Sequence, residues 1–122
     1  MKGKSIVEEK AILFALQIIE LYKLCKAQKE YVLSKQLLRS GTSIGANISE
    51  ALAGQSRKDF LAKMSISSKE ARESKYWLFL LQKSQLVTYD FTIEMEACDE
   101  LIRLLTSIVK TTQSELKNGK KF

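Results

Sequence analysis

Apolar residues recur along most of this chain at intervals of three and four, the period of a helix that buries one side. Val7, Ala11, Phe14, Ile18, Leu21 and Cys25 form the first such stripe, and Leu33, Leu37, Ile44, Ile48 and Leu52 the second. Phe60, Met64, Ser67, Ala71, Ser74 and Leu78 form a third. Phe91, Met95, Cys98, Ile102, Leu105 and Val109 form a fourth at near-heptad spacing. The pattern predicts helices over about 5–26, 31–53, 57–83 and 90–116. Ser5 with Glu8 and Glu9 suits a capped start, Gly54 a stop, and Ser56 followed by Asp59 a second cap. The basic tail KNGKKF is expected to fray. Helices of this length span roughly 30–40 Å. Joined by short connections, they fit one all-α domain over 1–122, an antiparallel up-down-up-down four-helix bundle.

Two departures from a simple bundle stand out. The apolar period continues in register through Gly41 and Gly45, although each glycine costs a helix about 1 kcal/mol relative to alanine. Close approach of two backbones would explain them, and a break at SGTSIG is the alternative. The first helix also carries a second apolar set, Ile12, Leu16 and Ile19 with Leu13 beside it, pointing away from the first. One small bundle covers one side, so a second copy of the chain is the expected cover, with a packed loop or a broad core stripe as the alternative. Tyr76, Trp77 and Phe79, in the YWLFLL run, cannot all face one core, so some of this surface is expected to meet another chain or the long first helix, and Tyr76 and Trp77 are assigned to the oligomer interface.

Polar residues run beside the stripes. Ser43, Asn47 and Glu50 flank the second, and Glu70 and Glu73, with Arg72, flank the third. They are expected to form a structural polar network between helices or subunits, one that must be fully satisfied if buried. Glu94, Glu96, Asp99 and Glu100 read as an acidic outer face of the fourth helix.

The net charge of +6 arises from 20 basic and 14 acidic residues. Residues 1–39 carry +4, residues 40–89 carry +3 and residues 90–122 carry −1. Lys23, Lys26, Lys29 and Lys35 gather around the first connection, and Lys83 should lie at the same end of an antiparallel bundle. Arg57 and Lys58 mark the second connection, and Lys2, Lys4 and Lys10 the N-terminal end. Such a surface suits the backbone of RNA or DNA, with salt-sensitive and poorly specific binding, or it serves solubility alone.

No catalytic set is visible. The chain has no histidine, and Cys25 and Cys98 sit inside apolar stripes as expected of buried reduced thiols. SGTSIG lacks both the preceding strand and the Lys-Ser or Lys-Thr of a phosphate loop. Glu70 and Glu73 lack the Glu-x-x-His partners of a di-metal bundle, so no metal and no cofactor is expected. A secretory signal and a membrane-spanning run are also missing, which makes the cytoplasm the expected location.

The motifs SGTSIGANISEA, SRKDF and KEARESKYWLFLL are jointly specific. Over 31–81 the chain closely resembles the bacterial four-helix-bundle proteins encoded in intervening sequences of large-subunit rRNA genes. The resemblance extends more loosely to Phe14 and to the fourth stripe. It covers Ser43, Ile44, Asn47, Ile48, Glu50, Phe60, Glu70, Glu73, Tyr76, Trp77 and Leu78, none of which it marks as catalytic. It implies a subunit that assembles into a ring-like homo-oligomer, typically a homopentamer. Related accessory proteins of diversity-generating retroelements use a basic barrel to bind nucleic acid and a reverse transcriptase. The sequence therefore points to a non-enzymatic, homo-oligomeric nucleic-acid-binding protein, with a protein-interaction scaffold as the alternative.

Overall fold

A computed structural model describes residues 5–119. Lys2 and Lys4 lie outside those residues, as does the end of the basic tail from Lys120 onward. Four helices make up the described chain: α1 (Ile6–Ala27), α2 (Leu33–Leu52), α3 (Arg57–Ser84) and α4 (Thr92–Gly119). Each packs on its neighbours in sequence and α4 returns to α1, while the diagonal pairs make no close backbone approach. Ion pairs between neighbours run in opposite order along the two helices, as Arg39–Glu70 and Glu50–Lys63 do between α2 and α3. The bundle is therefore antiparallel and up-down-up-down.

Local chemistry sets the helix ends. Ser5 accepts the Glu8 N–H at 3.1 Å and Ser56 accepts the Asp59 N–H at 3.0 Å, each meeting one of the unpaired donors of a first turn. At the start of α4, Asp90 Oδ1 accepts the Thr92 N–H at 3.0 Å and its hydroxyl at 2.6 Å. Gln85 closes α3 in the left-handed conformation, φ 56°.

All six residues of the α1 stripe are buried. α2 is unbroken through SGTSIG, and the reason lies in its neighbours. A Cβ placed on Gly41 would come within 3.2 Å of both γ carbons of Ile18, so α1 occupies the space a side chain would need. Between α2 and α3 the small residues carry hydroxyls that bond across the seam. Ser67 donates to the Ile44 carbonyl at 2.9 Å, and the Ser74 and Ser40 hydroxyls meet at 2.8 Å. Cys98 reaches the Ala71 carbonyl at 3.2 Å from α4.

Three expectations about the core are corrected. Leu52 is exposed and Ala51 takes the inward position, because a stripe of threes and fours can close its last turn on either residue. Phe60 is only half-buried at the start of α3. In α4, Glu94, Cys98, Leu101, Leu105 and Thr112 face inward, and Met95, Ile102 and Val109 sit at the margin. Both sets have helical spacing, and only the positions of α1 and α3 choose between them.

Candidate nucleic-acid interface

The end of the bundle that holds the α1–α2 and α3–α4 connections is built around two polar side chains. Glu30 is buried and its carboxylate accepts the N–H groups of Val32 at 3.0 Å, Leu33 at 2.9 Å and Ser34 at 2.8 Å. It is thus the side-chain cap of α2, while the Ser34 hydroxyl returns a bond to the Glu30 carbonyl at 3.0 Å. Burial works against the ionised carboxyl. The bonds from Leu33, Ser34 and Val32 together outweigh it and hold Glu30 below the usual carboxylate range. The second side chain is Gln28. Its amide nitrogen donates to the Thr88 carbonyl at 3.0 Å and its oxygen accepts the Thr88 N–H at 2.7 Å, so one connection is tied to the other. Between them Lys29 stands in the left-handed region, φ 69°.

Around this end lie Lys26, Lys29, Lys35 and Lys83, all exposed. None of the four is paired with a carboxylate among the described residues. Lys26 sits 5.3 Å from the centre of the Tyr22 ring and Lys83 5.9 Å from that of Phe79. Lys23, on the same turn of α1 as Lys26, is bonded to Glu20 at 3.0 Å. Along the flanks four cations meet carboxylates: Lys10 with Glu100, Lys63 with Glu50, Lys75 with Asp99, and Arg39 with Glu70 and Glu73. Lys58, Lys69, Arg103, Lys110 and Lys117 are also exposed and without a carboxylate partner among the described residues, but they are spread over the other end and the sides. Arg57 and Lys58 stand at the opposite end, one α2 length away, roughly 30 Å. Arg57 is there bonded to Glu115 at 2.7 Å. Of the cations singled out in the sequence, Lys23, Lys26, Lys29, Lys35 and Lys83 therefore stand at one end, Arg57 and Lys58 at the other, and Lys10 on a flank.

The five residues of the expected polar network are not joined as one. Ser43 donates to the Arg39 carbonyl at 2.7 Å and Asn47 to the Ser43 carbonyl at 2.9 Å, both within α2, while Glu50 pairs with Lys63. Glu70 and Glu73 are gathered across the α2–α3 seam by Arg39, which the sequence pattern did not single out, and Arg72 turns instead to Thr106 at 2.9 Å. The Trp77 indole donates to Glu73 at 3.1 Å. Burial disfavours the Glu73 carboxylate, but the Arg39 and Trp77 bonds prevail and lower its pKa.

The residues assigned to an interface divide by exposure. Leu16 and Tyr76 are each 55% exposed, Ile12 is 40% exposed, and Ile19 and Trp77 are half-buried. Leu13 extends the open face of α1. Tyr76 and Trp77 meet edge to face at 5.2 Å.

Glu94 corrects the expected acidic outer face of α4. It is buried and accepts the Tyr89 hydroxyl at 2.6 Å, and its second oxygen has no hydrogen-bond partner. The bond to Glu94, with burial, pushes Tyr89 up to about 12. Both thiols are buried and free. Burial, with the Glu30 charge beside it, raises Cys25 to about 11, and burial raises Cys98 to about 12, so neither is a ready nucleophile. Among the described residues no group of three or more side chains could hold a metal ion, and no helix is long and apolar enough to cross a membrane.

Residues 3–107 match the family described as 23S rRNA-intervening sequence protein. A similar solved structure is a protein of unknown function from the S23 ribosomal protein family of Bacteroides thetaiotaomicron VPI-5482. It is 48% identical, with a TM-score of 0.81, over 86% of this chain and 96% of that one. No curated protein matches the chain.

Proposed function

The chain belongs to the 23S rRNA-intervening sequence protein family, and from that premise we propose that it is a non-enzymatic, homo-oligomeric protein that binds the backbone of RNA or DNA. The observation that carries this reading is the gathering of unpaired cations at one end. Lys26, Lys29, Lys35 and Lys83 share one end of the bundle, exposed and without carboxylate partners among the described residues, whereas the other cations are either paired, as Lys10, Arg39, Lys63 and Lys75 are, or spread over the sides and the other end. A cluster left unpaired in this way keeps its field for a polyanion. Self-assembly through the open α1 face of Ile12, Leu13 and Leu16, into a ring of five copies, would repeat the cluster and multiply the field. Two buried thiols and a chain without histidine support a binding role in the cytoplasm over catalysis.

Fluorescence anisotropy of labelled RNA across a salt series tests the proposal. Affinity should fall linearly on a logarithmic plot against salt. Replacing Lys26, Lys29, Lys35 and Lys83 by glutamine should weaken binding and flatten the slope by about one unit for each phosphate no longer neutralised. No binding at low salt, or binding indifferent to salt, rejects it. A second reading, a scaffold for another protein, draws on the same exposed apolar face of α1. Partners that survive nuclease treatment would favour that reading.

A further inference from the structure

Exposed aromatic rings stand among the unpaired lysines, and the fold holds one of them still. Tyr31 is 56% exposed and has no hydrogen-bond or ring partner among the described residues. Tyr89, 37% exposed, is fixed from below: its hydroxyl is bonded to the buried Glu94, and its ring meets Phe91 edge to face at 5.0 Å and 77°. Tyr31 lies on the α1–α2 connection and Tyr89 on the α3–α4 connection, and the pair of hydrogen bonds between Gln28 and Thr88 ties the two together. Beside Tyr89 opens a recess of about 370 Å³ whose other walls are Gln82, Gln85, Val87 and Thr88.

A surface of lysines alone favours a duplex, whose two strands carry a charge every ~1.7 Å along the axis. Rings add nothing there, since paired bases hide their faces in the stack. An unpaired strand offers both a chain of phosphates and free base faces. We propose that this end of the bundle is a platform for single-stranded polynucleotide, with bases stacked on Tyr31 and Tyr89 and phosphates held by Lys26, Lys29, Lys35 and Lys83. The inference rests on the nucleic-acid reading above and narrows it to the unpaired form. Tyr89 is set before binding, so its ring needs little ordering when a strand arrives. The amides of Gln82 and Gln85, lining the recess, supply donors and acceptors to the edge of a base stacked on Tyr89.

The test compares a labelled oligouridylate of about 20 nucleotides with an RNA duplex of the same length, long enough to exceed one binding site. At matched salt the single strand should bind more tightly. Tyr31→Ala should weaken the oligouridylate by between about fivefold and a hundredfold, the range for losing one stacked base. It should leave the duplex unchanged, and Tyr31→Phe should restore the loss. Circular dichroism will show whether the exposed substitution leaves helix content intact. Equal or tighter binding of the duplex, or a silent Tyr31→Ala, overturns the platform and leaves the backbone-binding proposal standing. Failure of both probes to bind at low salt overturns both.

Discussion

Replacing Glu30 by glutamine should destabilise the protein by about 2 kcal/mol at neutral pH, although the residue touches no ligand and carries no apolar side chain into the core. Its carboxylate is 8% exposed and accepts three N–H groups of the first turn of α2. Glutamine keeps the length, loses the charge, and turns an NH₂ toward donors. The three bonds are not equal. Val32 is 71% exposed, so water replaces its partner, whereas Ser34 is 1% exposed and Leu33 half-buried, and the single amide oxygen cannot take the place of both carboxylate oxygens. A lost helix cap costs about 0.5–2 kcal/mol and an unmet buried donor about 1–3, and the two overlap here. The pH dependence has a definite sign. The folded pKa of Glu30 lies below its ordinary value of 4.5. A depressed carboxyl contributes stability that is fully present above the unfolded value and is lost as pH falls through the folded one. The gap between the native chain and the variant should therefore be full at pH 7 and narrow as pH falls below 4.5 through the lowered folded value. Urea unfolding followed by circular dichroism measures it, with a shift in midpoint at constant slope. Protein concentration must be held fixed because the proposed assembly would add to apparent stability. A gap equally large at pH 7 and pH 3, or none at pH 7, would refute the reasoning.

Two further perturbations test other parts of the fold. Gly45→Ala should stabilise the chain by up to about 1 kcal/mol, because a Cβ there meets Ala11 at an ordinary 3.6 Å; Gly41→Ala, one turn earlier, should forfeit that gain or destabilise, since Ile18 must give way at 3.2 Å, and the two midpoints in urea should separate accordingly. Leu16→Glu should leave the helix content intact and reduce the assembly to a smaller species by light scattering; an unchanged mass would show that the α1 face is not the interface.

The α1 core was legible because its stripe has one strong apolar phase, and Val7, Ala11, Phe14, Ile18, Leu21 and Cys25 are all buried. The serine caps of α1 and α3 were legible for a similar reason: a cap acts over three residues and needs nothing from elsewhere. Glu30 was missed as a cap because its carboxylate reaches donors two, three and four residues onward, outside the usual serine or aspartate pattern. Glu94 was misread as surface. Only the packing of the third connection, which brings Tyr89 over it, gives that carboxylate a donor inside. Arg39 was missed because its partners are 31 and 34 residues away, a separation that no local pattern reports.

By itself the sequence determined four helices, their order and the inner side of most of them, since period, caps and glycine stops act over a few residues. Tertiary structure alone decided which of two equally periodic faces α4 turns inward, which cations keep their charge open to solvent, and which rings stand among them. Those outcomes depend on groups far apart in the chain, and ion pairing and burial are set by distance in space.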